Sequence, residues 1–234
     1  MNFAGRMCPK LADSDKISRF LDVGSALSTS FFMERDASMI KKGKALKGIF
    51  DSADAYQAIL NRKNVLFLYC PRGDVESIET RFISNNFKHL TGVKGPLKPN
   101  EFYKKALSRR LSVNDIGTLM STTELKLKVL PNLINNMTNK AMMICENPSG
   151  GYKVCTELLV GTIIASMGFV KDKASSFFVP NTVLDGDTRQ WGKFFQIKMV
   201  CIKDCKDAKY TISLTHKSFS YSDLPLPIQS KIKI

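Results

Sequence analysis

The chain contains very little histidine and no motif typical of a bound metal or nucleotide. Only two of its 234 residues are histidines, and its six cysteines include no C-x-x-C pair, so the spacing of a structural zinc site is missing. The motifs GxxxxGK[ST], GxGxxG, HExxH and GxSxG are also missing. Nothing in the sequence therefore supports nucleotide hydrolysis, a dinucleotide cofactor or a serine hydrolase, and we expect no cofactor and no bound metal.

Long apolar runs and acidic residues are scarce as well. No stretch reaches 18 uninterrupted apolar residues, so we expect no membrane-spanning helix. The start, MNFAGRMCPKLADSDK, lacks the apolar core of a secretory signal, which predicts a cytoplasmic protein. Lys and Arg number 35 against 21 Asp and Glu, a net charge of +14. A folded chain must display this excess on its surface, which predicts a polyanionic partner, nucleic acid before anionic lipid.

The first half of the chain reads as helices around a pair of strands. SADAYQAILNRKN (52–64) is typical of a helix that begins at Asp51 or Ser52. The apolar run VLFLYC (65–70) predicts a buried strand, and VESIETRFI (75–83) its antiparallel partner. NEFYKKALSRR (100–110) predicts a second helix, with its apolar residues on the inner side.

From residue 139 onward, strand-like segments separated by turns predict an antiparallel sheet. Helices followed by such a sheet are typical of the α+β class and not of alternating βαβ units. The segment 1–50 differs in character from the rest, and we expect a helical N-terminal extension ahead of a single α+β domain over 51–234.

One histidine lies beside a Thr-Gly turn in NFKHLTGVKGP (86–96), directly after the second predicted strand. An imidazole is a side chain suited to proton transfer, which makes His89 a candidate, although a hydrogen-bonded structural role is the common alternative. Thr91 could orient the ring, and Gly92 would let a backbone amide approach an anion.

Several basic and polar residues are candidates for binding phosphate. Lys104 and Lys105 lie on the next predicted helix, with Arg109 one turn beyond, although a solvated helix face is the alternative interpretation. Arg189 follows a strand, and its planar guanidinium can bind phosphate through two hydrogen bonds. The strand end SLTHKS adds three more candidates: Thr215, His216 and Lys217.

Two acidic residues close to this arginine allow a different hypothesis. Asp185 and Asp187 flank Gly186 and could be ligands of Mg²⁺ in a metal-dependent nuclease. Turn formation around the glycine is the more common role for such a pair, and further carboxylates for a metal site are not evident. We therefore rank this hypothesis third.

The order of these segments resembles a known family. NFKHLTGV, FYKKAL with RLSVNDI, LKLKVLPNLIN, and FFVPNTVL followed by DTR resemble the phage-associated barnase–EndoU–colicin–RelE-like nucleases, in their fourth phage subtype. The resemblance covers roughly residues 60–218. It implies amino-terminal helices packed on a four-stranded or larger antiparallel sheet, as in barnase and RelE.

The resemblance also implies an activity and roles for residues. It implies a metal-independent endoribonuclease that acts as a toxin or effector of a phage or mobile element. His89 would be the leading catalytic residue, joined by three further catalytic candidates: Lys105, Arg189 and His216. Substrate contacts would come from the remaining candidates: Thr91, Lys104, Arg109, Thr215 and Lys217.

In that mechanism a base deprotonates the RNA 2′-OH, which attacks the adjacent phosphorus and leaves a 2′,3′-cyclic phosphate. The expected partners are RNA, such as tRNA or another structured RNA, and an immunity or regulatory protein, with no membrane. The second hypothesis is a catalytically inactive module of the same fold that binds nucleic acid or protein.

Overall fold

The computed structural model describes residues 39–149 and 155–233. The predicted helical extension over 1–50 therefore lies mostly outside the described residues, and its boundary with the domain over 51–234 stays a prediction. From Lys42 onward the chain forms one compact unit. Within the two described ranges, no helix is both long enough and apolar enough to cross a membrane.

The described residues form five helices, two 3₁₀ turns and nine strands, with most of the helices before β3 and most of the strands from β3 onward. In chain order they are α1 (39–59), β1 (Lys63–Tyr69), β2 (Glu76–Phe82), α2 (Ser84–Thr91), α3 (Pro99–Leu107), α4 (Ser121–Asn135), β3 (Met143–Glu146), β4 (Leu158–Gly161), β5 (Ala165–Lys171), β6 (Phe178–Asp185), a 3₁₀ turn (Thr188–Trp191), β7 (Phe194–Asp204), β8 (Tyr210–Thr215), a 3₁₀ turn (Tyr221–Asp223), α5 (Leu226–Gln229) and β9 (Ile232–Lys233).

Seven of the strands form a closed, mixed sheet. Their order is β1-β2-β6-β5-β4-β3-β7, and pairing of β7 with β1 closes the ring, while β8 and β9 continue from β7. β2 pairs with β6 in parallel at Thr80 and Phe178, and β8 pairs with β9 in parallel, whereas the other pairings are antiparallel. The prediction of helices packed on an open antiparallel sheet of the barnase and RelE type is therefore wrong.

Closure depends on the long strand β7. Its start pairs with β3, from Phe194 to Gln196, and the remainder pairs with β1 in a register that sets Lys63 opposite Asp204. One strand thus joins segments that are far apart in the sequence. Strand-like alternation in the sequence gives no information about such pairing, which is why the ring could not be predicted.

The predicted strand VLFLYC is confirmed as β1, and it is apolar throughout because both of its faces are buried. Val65 and Phe67 belong to the main core, which also contains buried residues of α1 to α4. Leu66 and Leu68 belong to a second cluster, where they pack with residues of β7, β8 and the C-terminal segment: Met199, Cys201, Tyr210, Leu224, Ile228 and Ile232. The predicted antiparallel pair β1–β2 is also confirmed.

Two local predictions in this half are wrong. α1 runs through Ser52, whose hydroxyl donates to the Gly48 carbonyl at 2.7 Å, so Asp51 and Ser52 do not begin a helix. A further helix, α2, separates β2 from the Thr-Gly turn. α2 is easy to miss because it has only eight residues, and Phe87 and Leu90 are its only buried apolar side chains.

Candidate functional site

His89 lies on the last turn of α2, with its side chain exposed at the rim of a cavity of about 560 Å³. The cavity is bounded by the end of α2, the loop that follows it and the start of α4. Three lysines line it together with the histidine. The full lining is Lys88, His89, Gly92, Val93, Lys94, Gly95, Pro99, Met120, Thr122 and Lys126. We call this space the lysine cavity.

The turn after α2 is held by hydrogen bonds that fix the position of His89. Gly92 adopts a left-handed conformation, with φ of 70°, and its N–H donates to the His89 carbonyl at 3.1 Å. Its own carbonyl accepts from the hydroxyl of Thr123 at 3.1 Å, which ties the turn to α4. Thr91 is buried, and its hydroxyl donates to the Lys88 carbonyl at 2.7 Å. Thr91 therefore supports the turn from inside the protein.

The lysines of this cavity are held in different ways. Lys88 donates through Nζ to the carbonyls of Gly95 and Leu97, at 2.8 and 2.6 Å, so it closes the loop while keeping its charge at the cavity. Lys126 is half-buried and donates to the Thr182 hydroxyl at 3.0 Å. Burial lowers the pKa of Lys126 below its ordinary value. It forms no ion pair with any described residue.

Lys126 was missed by the sequence analysis, although the pattern of α4 contains a signal for it. It stands three residues after Thr123 and four before Leu130, both of which are buried. Residues at these spacings share a helix face. A lysine on the apolar face of an amphipathic helix is unusual, since lysines are rarely buried without a partner.

A second cavity of about 480 Å³ adjoins the lysine cavity, because Thr122 and Lys126 line both. Most of its other lining residues come from β6 and the 3₁₀ turn that follows. They are Leu125, Cys155, Asn181, Thr182, Val183, Leu184, Asp185 and Trp191. We call this space the tryptophan cavity.

The cationic candidates on α3 and directly after it lie outside the lysine cavity. Lys105 pairs with Asp115 at 3.3 Å and more loosely with Glu101 at 3.9 Å. Arg109 pairs with Asp54, and Lys104 lines a separate cavity of about 600 Å³. None of these three side chains lines the lysine cavity.

The acidic and basic residues at the end of β6 and directly after it lie in two different environments. Arg189 donates three side-chain hydrogen bonds to the Asp187 carboxylate, at 2.6 to 3.1 Å. These bonds lower the pKa of Asp187 below its usual value. Asp185 instead lines the tryptophan cavity, so the carboxylates of Asp185 and Asp187 have different surroundings. Among the described residues, no group of three or more His, Cys, Asp or Glu side chains could hold a metal ion.

The remaining candidates lie at the end of β8. Thr215 pairs with Met199 of β7, and Nδ1 of His216 is 2.9 Å from the Ser218 hydroxyl. Lys217 is exposed beside them. Thr215, His216, Lys217 and Arg189 line neither the lysine cavity nor the tryptophan cavity. His89 is thus the one candidate catalytic residue from the sequence that lines the lysine cavity.

A histidine among three lysines is an arrangement suited to a phosphodiester substrate, since the lysines attract the phosphate and the imidazole can move a proton. The sequence comparison agrees with that chemistry. The model of the phage-Barnase-EndoU-ColicinE5/D-RelE like nuclease 4 family matches residues 48–215, and the chain belongs to this family of phage-associated nucleases. The match includes His89, Lys126 and the whole of the tryptophan cavity. Comparisons with curated proteins and with solved structures find no match.

Proposed function

We propose that the protein is a metal-independent endoribonuclease that cleaves RNA in the lysine cavity. The observation that carries the proposal is the position of His89 at the rim of a cavity lined by three lysines. Positive charge at the cavity would balance the charge of the phosphate, which is the part that a metal ion plays in other nucleases. The net charge of +14 supplies the long-range attraction for RNA.

In the proposed reaction the imidazole of His89 takes the proton from the ribose 2′-OH. The 2′-oxygen then attacks the adjacent phosphorus, and the bond from phosphorus to the 5′-oxygen breaks. The ammonium of Lys126 gives a proton to the departing 5′-oxygen, and its lowered pKa makes it a better acid than an ordinary lysine. The products are a 2′,3′-cyclic phosphate and a free 5′-hydroxyl, and solvent restores both protonation states.

Lys88 and Lys94 hold the phosphate in this scheme, and Thr91 acts by supporting the turn. The scheme assigns no step to the candidates that lie outside the cavity. RNA is the substrate because DNA lacks the attacking 2′-hydroxyl. A role as a toxin or effector that acts on cytoplasmic RNA, with an immunity or regulatory protein as partner, is part of the proposal and is supported by the phage association of the family.

Incubation of the purified protein with tRNA and total RNA in excess EDTA tests this proposal. We expect cleavage to persist in EDTA and to leave 2′,3′-cyclic phosphate ends. Cleavage that stops in EDTA and returns with Mg²⁺ would contradict the metal-independent mechanism. Intact RNA together with a gel shift would instead favour a binding module of the same fold.

A substitution of Gly92 with alanine is expected to reduce cleavage by more than it reduces stability. A Cβ at this position would lie 2.9 Å from Cδ of Lys126, so the lysine side chain must move. The left-handed backbone adds roughly 1 kcal/mol of strain. We expect kcat for RNA to fall at least tenfold, with only a small decrease in the denaturation midpoint.

Gly73 provides the matched control for this variant. It also has a positive φ, but a Cβ there meets no atom within 4 Å. Gly73→Ala therefore carries the backbone strain without the displacement of Lys126, and we expect it to keep its activity. Equal loss of activity in the two variants would refute a role for the packing of Gly92 against Lys126.

A further inference from the structure

The tryptophan cavity differs in chemistry from the lysine cavity beside it. Leu125, Val183, Leu184 and the indole of Trp191 give it an apolar part. The polar side chains of its lining are Thr122, Lys126, Asn181, Thr182 and Asp185. Its volume of about 480 Å³ lies within the range of small-ligand sites. A flat, largely apolar group with polar edges fits such a lining, since aromatic side chains commonly stack on nucleobases.

An unpaired carboxylate disfavours phosphate beside it in this cavity, although Lys126 lines the cavity as well. Asp185 forms no ion pair with any described residue, although the protein is strongly basic. Its negative charge would repel a phosphate and would accept a hydrogen bond from an N–H group of an uncharged ligand. The part of a nucleotide that enters beside Asp185 is therefore the base.

Two further polar atoms of the cavity residues lack partners among the described residues. Oδ1 of Asn181 and Nε1 of Trp191 are buried and form no hydrogen bond within residues 39–149 and 155–233, while Nδ2 of Asn181 donates to the Cys155 carbonyl at 2.8 Å. A buried acceptor without a donor is costly in a folded protein. Both atoms are closed to solvent, so the exposed carboxylate of Asp185, and not these atoms, is the group that a ligand in the cavity can reach.

The two cavities are close enough to hold parts of one nucleotide. Thr122 and Lys126 line both, so a phosphate beside Lys126 has its own base within reach of the neighbouring cavity. We infer that the tryptophan cavity binds the base next to the scissile phosphate by stacking on Trp191, and that Asp185 selects bases that carry an amino group. This inference rests on the proposed ribonuclease function.

Intrinsic fluorescence tests the inference directly, because Trp191 is the only tryptophan in the chain. Titration of the full chain with CMP and with UMP compares two nucleotides that differ in the hydrogen-bonding edge of the base. We expect saturable quenching by both, with CMP bound about tenfold more tightly than UMP, the order of magnitude of one specific hydrogen-bonded contact to a base.

Substitutions at Asp185 test whether its carboxylate discriminates between CMP and UMP. We expect Asp185→Ala to remove the preference for CMP and Asp185→Asn, which keeps an acceptor, to retain part of it. Asp207→Asn, an exposed carboxylate in the turn before β8, is the control and is expected to bind like the wild type. Thermal melts of all variants establish that each is folded.

The outcomes separate this inference from the proposed function. Absence of quenching by either nucleotide, or equal affinity for CMP and UMP, overturns the inference even if RNA is cleaved. Preference for CMP that survives Asp185→Ala overturns the role of Asp185. Preferential binding of CMP by a protein that cleaves no RNA supports base binding in this cavity and overturns the proposed ribonuclease.

Discussion

Replacement of His89 with alanine is expected to lower kcat/KM for RNA cleavage by about two to four orders of magnitude. The imidazole is the group in the lysine cavity suited to act as general base, because the other ionisable side chains of its lining are lysines. Initial rates on a fluorescent RNA oligonucleotide measure this change.

The fold and the binding of RNA should survive this substitution. His89 is exposed, and the contacts that hold the turn use its backbone carbonyl, not its ring. We therefore expect an unchanged denaturation midpoint and an RNA affinity within about threefold of the wild type, since the lysines supply most of the attraction. Full activity of His89→Ala would show that another group is the base.

Replacement of Lys126 with methionine is expected to move activity and stability in opposite directions. Loss of a positioned charge at the leaving oxygen should lower kcat by about 10²- to 10³-fold. Burial lowers the pKa of Lys126, so its charged form is less favourable in the folded than in the unfolded protein. Methionine removes that penalty at neutral pH, and we expect a higher denaturation midpoint.

The pH dependence of stability gives this prediction a second readout. The pKa of Lys126 is lower in the folded than in the unfolded protein. At a pH between these two pKa values the unfolded chain therefore binds more protons than the folded chain, and the stability of the wild type rises with pH in this range. The stability advantage of Lys126→Met should therefore shrink as the pH rises toward the ordinary lysine pKa. Lys128→Met, at an exposed position of the same helix, is the control and should show neither effect. Lower stability in Lys126→Met at neutral pH would contradict the cost assigned to its burial.

Local features of the fold could be predicted from the sequence, but its closure could not. β1 and its partner β2 are evident from a continuous apolar run and from alternation, and α3 from its inner residues Phe102, Tyr103 and Ala106. The ring depends on pairing between β1 and β7, whose residues are more than a hundred positions apart in sequence. Propensity and periodicity describe which residues form strands and leave the choice of distant partners open.

The residues of the candidate site could be proposed from the sequence only in part, because their surroundings depend on distant contacts. His89 stands out as a candidate because histidine is rare in this chain and because it lies beside a Thr-Gly turn, and its role stays a prediction. Lys126 resembles many solvated lysines, and its spacing from Thr123 and Leu130 distinguishes it only once α4 is recognised as a helix with one buried face. Three other cations also carry a positive charge but are paired with carboxylates outside the lysine cavity: Lys105, Arg109 and Arg189. Only the tertiary structure distinguishes a cation paired in this way from a lysine that lines the cavity.

We propose above that the protein cleaves at a ribose, without a metal, by attack of the 2′-oxygen. The most direct test is mass spectrometry of products from a DNA oligonucleotide that contains a single cytidine ribonucleotide, incubated with the protein in excess EDTA. We expect one cut, with a 2′,3′-cyclic phosphate on the ribonucleotide and a 5′-hydroxyl on the following fragment, and no cut in the all-DNA oligonucleotide. Cleavage of the all-DNA oligonucleotide, or products with 3′-hydroxyl and 5′-phosphate ends, would contradict it.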